Sequence, residues 1–140
     1  MTPAARIPAA ARWLGFAGLL PFAAAALAMA WPGAPLQELA PRALLGYGAV
    51  ILSFLGGIRW GLAMGRPDAA LALGFSVLPA LLGWVALLLP AAAGLGLLAA
   101  GFAAMLLADR HLAAAPAWYP RLRLPLSLGA MAALLLGLWA

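Results

Sequence analysis

Polar positions in this chain fall in short clusters, and the intervals between them are apolar runs of transmembrane length. About 20 apolar residues at a rise of 1.5 Å carry a helix across a bilayer. Five runs meet or approach that requirement, at about residues 12–31, 42–65, 69–89, 91–108 and 124–140. The first follows Arg6 and Arg12 and is bracketed by Trp13 and Trp31, roughly 27 Å apart on a helix, which suits the two aromatic belts of a membrane. Pro21 is expected to bend it. The basic start, the apolar run and Ala28-Met29-Ala30 also match the outline of a signal peptide with its A-x-A site. The run is longer than a usual signal-peptide core, so a retained span is the preferred reading.

The connections are short. Residues 31–42 form a loop that places Glu38 and Arg42 at the mouth of the second span, where Pro41 can occupy the first helical turn. After Arg66, Pro67-Asp68 reads as a tight turn with Asp68 as the N-cap of the third helix. Pro79 lies in mid-span and Pro90 ends that helix, and the next span follows with no charge between them, as in a tight hairpin. Asp109-Arg110-His111 closes the fourth span. The segment from His111 to Pro125 (HLAAAPAWYPRLRLP) is the one long connection with polar content. Pro116, Pro120 and Pro125 resist a continuous helix there, and Pro125 is expected to open the fifth span.

Composition turns this pattern into a class. Hydrophobic residues make up 68% of the 140 positions and charged residues 8%, with no lysine, more apolar surface than a soluble domain of this length could hide. The expected fold is an all-α integral membrane protein, a single bundle of five transmembrane helices. The formal charge of +5 is not read as nucleic-acid affinity, because the arginines sit where membrane topology wants them. Arg6, Arg12, Arg66, Arg110, Arg121 and Arg123 all fall on one side of a five-span chain, Arg59 lies toward that side, and only Arg42 is opposite. The positive-inside rule then puts the N-terminus inside and the C-terminus outside. On that orientation Ala5, Ala69 and Ala113 are on the inner side, with Gln37 and Ala140 outside. Absence of cysteine removes disulfides, thiolate nucleophiles and thiolate metal sites. Alanine richness and arginine without lysine resemble a GC-rich bacterial genome, so the expected location is the bacterial inner (cytoplasmic) membrane.

The second span carries the chemistry. Ala49, Ser53, Gly57, Gly61 and Gly65 recur every fourth residue, a stripe expected to serve helix packing inside the protomer rather than a dimer interface. Arg59 lies within the span, and an intramembrane charge costs roughly 2.5–3.5 kcal/mol unless it snorkels or pairs. Gly56, one turn before Arg59 and Trp60, is expected to leave room beside the guanidinium. Asp109, at the end of a helix where the macrodipole is negative, requires a cation such as Arg59, Arg121 or Arg123. His111 reads as a solvated imidazole, since no second ligand has metal-site spacing. The tryptophans lie near span ends and read chiefly as belt anchors.

These motifs carry a family resemblance. The stretch 47–61 (YGAVILSFLGGIRWG), Asp109 and 115–127 (APAWYPRLRLPLS) resemble an uncharacterised five-span membrane family, a domain of unknown function that includes animal transmembrane protein sixty-nine. The resemblance covers nearly the whole chain, with Ser127 standing where the family usually shows threonine. It implies a five-span inner-membrane protein and brings no assigned reaction or catalytic residues.

Enzymatic readings find little support. Three acids and one histidine leave little for paired acid–base work, Ser53, Ser76 and Ser127 have no local base, and phosphate-loop, dinucleotide and metal-ligand patterns are absent. The expected role is non-enzymatic and without a cofactor. Ser53, Gly56, Gly57, Arg59, Trp60, Asp109, Trp118, Tyr119, Arg121 and Arg123 form a candidate interaction site. That cluster would dock a larger membrane protein complex, a homo-oligomer partner or anionic lipid headgroups. The alternative is a pocket for a lipophilic ligand such as a quinone or porphyrin; porphyrin-binding translocators are similar in architecture alone.

Overall fold

Proline placement decides where the helices of this protein start and break. The computed structural model describes residues 6–33, 35–112 and 114–140, so that Ala5 and Ala113 lie outside the described residues. Among the described residues seven α-helices run in the order α1 Ala9–Ala17, α2 Leu19–Ala30, α3 Ala40–Ala63, α4 Ala70–Ser76, α5 Leu78–Leu88, α6 Ala91–Ala108 and α7 Tyr119–Trp139, with a 3-10 turn at Asp109–His111. Taken as α1–α2, α3, α4–α5, α6 with its 3-10 turn, and α7, they make five helices long and apolar enough to span a membrane. No strand occurs among the described residues.

The first span breaks at Gly18, three residues before Pro21. Proline lacks an N–H and its ring crowds the carbonyl four residues earlier, here Ala17, so the preceding turn cannot continue the ladder. The Gly18 carbonyl at this break accepts a hydrogen bond from the Tyr47 hydroxyl of α3 at 2.7 Å. The third span breaks the same way at Val77, two residues before Pro79. Pro41, at the second helical position of α3, is tolerated because the first turn has no acceptors to lose.

Three expectations are corrected. The fifth helix opens at Tyr119, not at Pro125: Pro120 takes a first-turn position, and the Leu122 N–H donates to the Trp118 carbonyl at 3.2 Å. Pro125 lies inside the helix with its ring facing outward. Asp68 does not cap the third span, whose N-cap is Ala69 with no side-chain hydrogen bond; Asp68 instead lies 3.7 Å from Arg66 on the exposed turn. The small-residue stripe of α3 is not its packing face as a whole. Ala49 packs against Gly83 of α5, but a Cβ added at Gly57, Gly61 or Gly65 would meet nothing within 4 Å among the described residues. A four-residue repeat precesses by about 40° per step around a helix of 3.6 residues per turn, so the stripe rotates away from its partner within two repeats.

Packing centres on α3, which touches α2, α4, α5, α6 and α7. Leu44 and Leu52 of α3, Leu95, Leu98 and Phe102 of α6 and Leu134 of α7 are fully buried together. Phe22 of α2 closes this core, edge-on to Tyr47 at 4.8 Å and to Phe102 at 5.9 Å between ring centroids. Leucines, phenylalanines and most tryptophans cover the outside, with Trp13, Trp31, Trp84 and Trp139 well exposed. A continuous apolar exterior of this kind belongs in lipid.

Candidate functional site

The charged residues gather at the end of the bundle where α3 and α6 finish and α7 begins. Asp109 opens the 3-10 turn directly after α6, and its side chain is 1% exposed. There it faces the negative end of the helix dipole, so an isolated carboxylate would be doubly disfavoured, by burial and by the dipole. Two arginines resolve this. Arg59, in the last turns of α3, donates from Nη1 to Asp109 Oδ1. Arg123, in the second turn of α7, donates from Nε and Nη2 to Oδ2 at 3.2 and 3.1 Å. The Arg123 Nη1 donates onward to Ser127 Oγ, one turn along the same helix. Arg123 is thereby 5% exposed and Ser127 1%.

The charges do not cancel. Two guanidinium groups share one carboxylate, leaving a local excess of one positive charge in a low-dielectric setting. Arg123 is almost fully buried, whereas the Arg59 side chain stays 22% exposed and makes no further hydrogen bond among the described residues. Excess charge and remaining donors therefore coincide at Arg59. Both oxygens of Asp109 are engaged, so the carboxylate would act as a base only by giving up a partner.

Arg59 borders two spaces. One is a polar niche of about 130 Å³ that it lines with Arg66, His111 and the ends of α3 and α4. The other is a lateral groove of about 440 Å³ between α3, the broken third span and α6, walled by Leu52, Phe75, Leu78, Pro79 and Leu82. The Tyr119 hydroxyl, four residues before Arg123 on α7, is buried without a hydrogen-bond partner among the described residues. Trp118 meets the Tyr119 ring edge-on at 6.3 Å.

Of the residues singled out by sequence, the structure brings together Arg59, Asp109 and Arg123, with Tyr119 beside them. Ser53 turns back on its own helix, donating to the Ala49 carbonyl at 2.9 Å. Gly56 does not make room for the Arg59 guanidinium. Its missing Cβ admits the third span instead, since a Cβ there would sit 2.5 Å from the Ser76 carbonyl oxygen. Gly57 opens outward, Trp60 is 43% exposed, and Arg121 is exposed on the outer face of α7 without a hydrogen bond to the cluster. Sequence reasoning passed over Ser127 as a partner, although its i, i+4 spacing from Arg123 was the available signal.

Five membrane-length helices with a lipid-type exterior and an internal ion cluster define a multi-pass helical membrane protein. The chain belongs to the family described as protein of unknown function (DUF3429), whose profile matches residues 7–139. It is similar to transmembrane protein 69 of Xenopus tropicalis, with 49% identity over 86 residues, covering 58% of this chain and 33% of that protein. The chain thus spans about a third of the length of this curated relative. No solved structure matches.

Proposed function

We propose that this is a non-enzymatic protein of a bacterial cytoplasmic membrane whose arginine-rich end engages anionic lipid headgroups, with the N-terminus inside. The observation that carries the reading is the uncancelled charge: Asp109 serves two arginines, and the surplus resides on partly exposed Arg59 beside Arg66 and His111. Anionic lipid is the abundant counter-charge at the inner face of a membrane, worth about 1 kcal/mol per basic residue near the surface. Arg66 and Arg110 are exposed at the same end, and Arg121 continues the basic rim on α7.

In detergent, an anionic phospholipid such as phosphatidylglycerol should raise the thermal midpoint, the gain shrinking with added salt because the headgroup contacts are screened. A zwitterionic lipid of the same chains should give a smaller rise. Equal rises from both would overturn the reading. Orientation has its own test: a cysteine at Ala69 should resist an outside-only thiol reagent in intact cells, and one at Gln37 should react. The reverse pattern would invert the topology and put the basic end on the outer face.

A further inference from the structure

The polar niche and the apolar groove meet at one side chain. Arg59 lines both, with Arg66 and His111 on the headward side and a hydrocarbon-lined channel on the other. The channel exists because of two features of the sequence. The proline-induced break at Val77 interrupts the third span beside α3. On α6 the lining residues are Gly101, Ala104, Met105 and Ala108: Ala104 and Ala108 are exposed and form an open floor, Met105 is buried beside them, and Gly101 closes the deep end against Leu82 and Leu52. From Gly101 to Ala108 the floor runs seven residues along α6, roughly 10 Å, and it finishes beside Asp109 and Arg59. Its volume, about 440 Å³, lies within the ~300–1,000 Å³ typical of small-molecule sites.

We infer that this groove is a binding site for a single anionic diacyl phospholipid, one acyl chain lying along Ala104 and Ala108 and its phosphate held by Arg59 in the Arg66–His111 niche. The inference rests on the headgroup reading above and adds to it a defined seat and stoichiometry. Charge complementarity selects the occupant. A neutral lipophile would fill the apolar walls but leave the surplus charge of Arg59 unanswered, and a free phosphate would answer the charge but leave the groove empty. A lipid whose phosphodiester carries no compensating cation of its own satisfies both, because its net negative charge offsets the surplus at Arg59 and the guanidinium presents the donors that phosphate oxygens accept. Phe75 and Leu78 are half exposed at the groove's lateral opening, so the chain enters from the bilayer without passing through water.

The test is native mass spectrometry of the detergent-purified protein titrated with phosphatidylglycerol, phosphatidylcholine of matching chains, and glycerol phosphate. One phosphatidylglycerol should bind roughly tenfold or more tightly than phosphatidylcholine, an affinity ratio resolvable by titration, and glycerol phosphate should not compete at comparable concentration. Ala104→Phe fills the groove from an exposed position and leaves the ion cluster untouched; it should abolish the single tight site. Arg59→Gln should remove the preference for phosphatidylglycerol. If the wild-type protein prefers phosphatidylglycerol but Ala104→Phe binds it unchanged, or glycerol phosphate displaces it, headgroup contact stands and the groove site is overturned. If phosphatidylglycerol and phosphatidylcholine bind equally, both readings fail. The comparison of the three ligands uses the wild-type chain alone, so a poorly folding variant does not blunt it.

Discussion

Asp109→Ala should be the most damaging single change to the charged end of the bundle, and more damaging than the loss of either arginine. Removing one partner of a buried ion pair typically costs about 3–5 kcal/mol, because the other charge is stranded. Here one substitution strands two guanidinium groups, one of them only 5% exposed. Arg59→Ala has the opposite logic: it leaves Asp109 and Arg123 as a one-to-one pair and relieves the charge surplus. Its loss should therefore be the mildest of the three, with Arg123→Ala between. Thermal unfolding in a mild detergent measures the order. The Asp109→Ala, Arg59→Ala double variant should lose less than the sum, since Arg59 no longer needs the carboxylate. An Arg59→Ala loss as large as that of Asp109→Ala, with additive effects in the double variant, would show that the two residues act independently.

Two adjacent glycines should respond in opposite directions to one methyl group. Gly56→Ala places a Cβ 2.5 Å from the Ser76 carbonyl oxygen and 3.3 Å from the Pro79 ring. The first of these neighbours is backbone at the third-span break and cannot rotate away, so the helices must separate. Overpacking of this kind costs typically about 1–3 kcal/mol. Gly57→Ala meets nothing within 4 Å among the described residues, and its effect reduces to helix propensity, up to about 1 kcal/mol in favour of alanine. The thermal midpoint should fall for the first and hold or rise for the second. A fall at Gly57 equal to that at Gly56 would mean that the outward glycine face is covered in the folded protein.

The sequence made the five helices legible because a bilayer leaves little choice: an apolar run must hydrogen-bond its own backbone, and length alone then marks a span. Breaks were legible where proline sat in mid-run, at Pro21 and Pro79. The start of α7 was not, because three prolines were read as barriers, whereas Pro120 falls in a first turn that needs no donor. The ion cluster was legible in part from need. Arg59 wanted an acceptor and Asp109 a cation, and topology put both at one end. That Arg123 would take two donors to the same oxygen and Ser127 a third contact depends on the rotation of α7 about its axis. The azimuth of the α3 stripe was misread for the same reason. Spacing along a helix is written in the sequence, whereas the direction in which a face points is set by neighbours.

The ion cluster also has a history in time. Arg59 precedes Asp109 by 50 residues and Arg123 follows Asp109 by 14. Arg59 therefore leaves the ribosome before the carboxylate that neutralises it. Before that pairing, snorkelling toward headgroups is the route open to Arg59, and the pair forms only when the hairpin of the third span with α6 brings Asp109 back to it. Arg123 arrives last and locks the carboxylate from the other side. Nascent chains arrested before residue 109 should remain extractable from the membrane more readily than chains arrested after it. The arginine that carries the surplus charge of the finished bundle is also the first member of the cluster to be made.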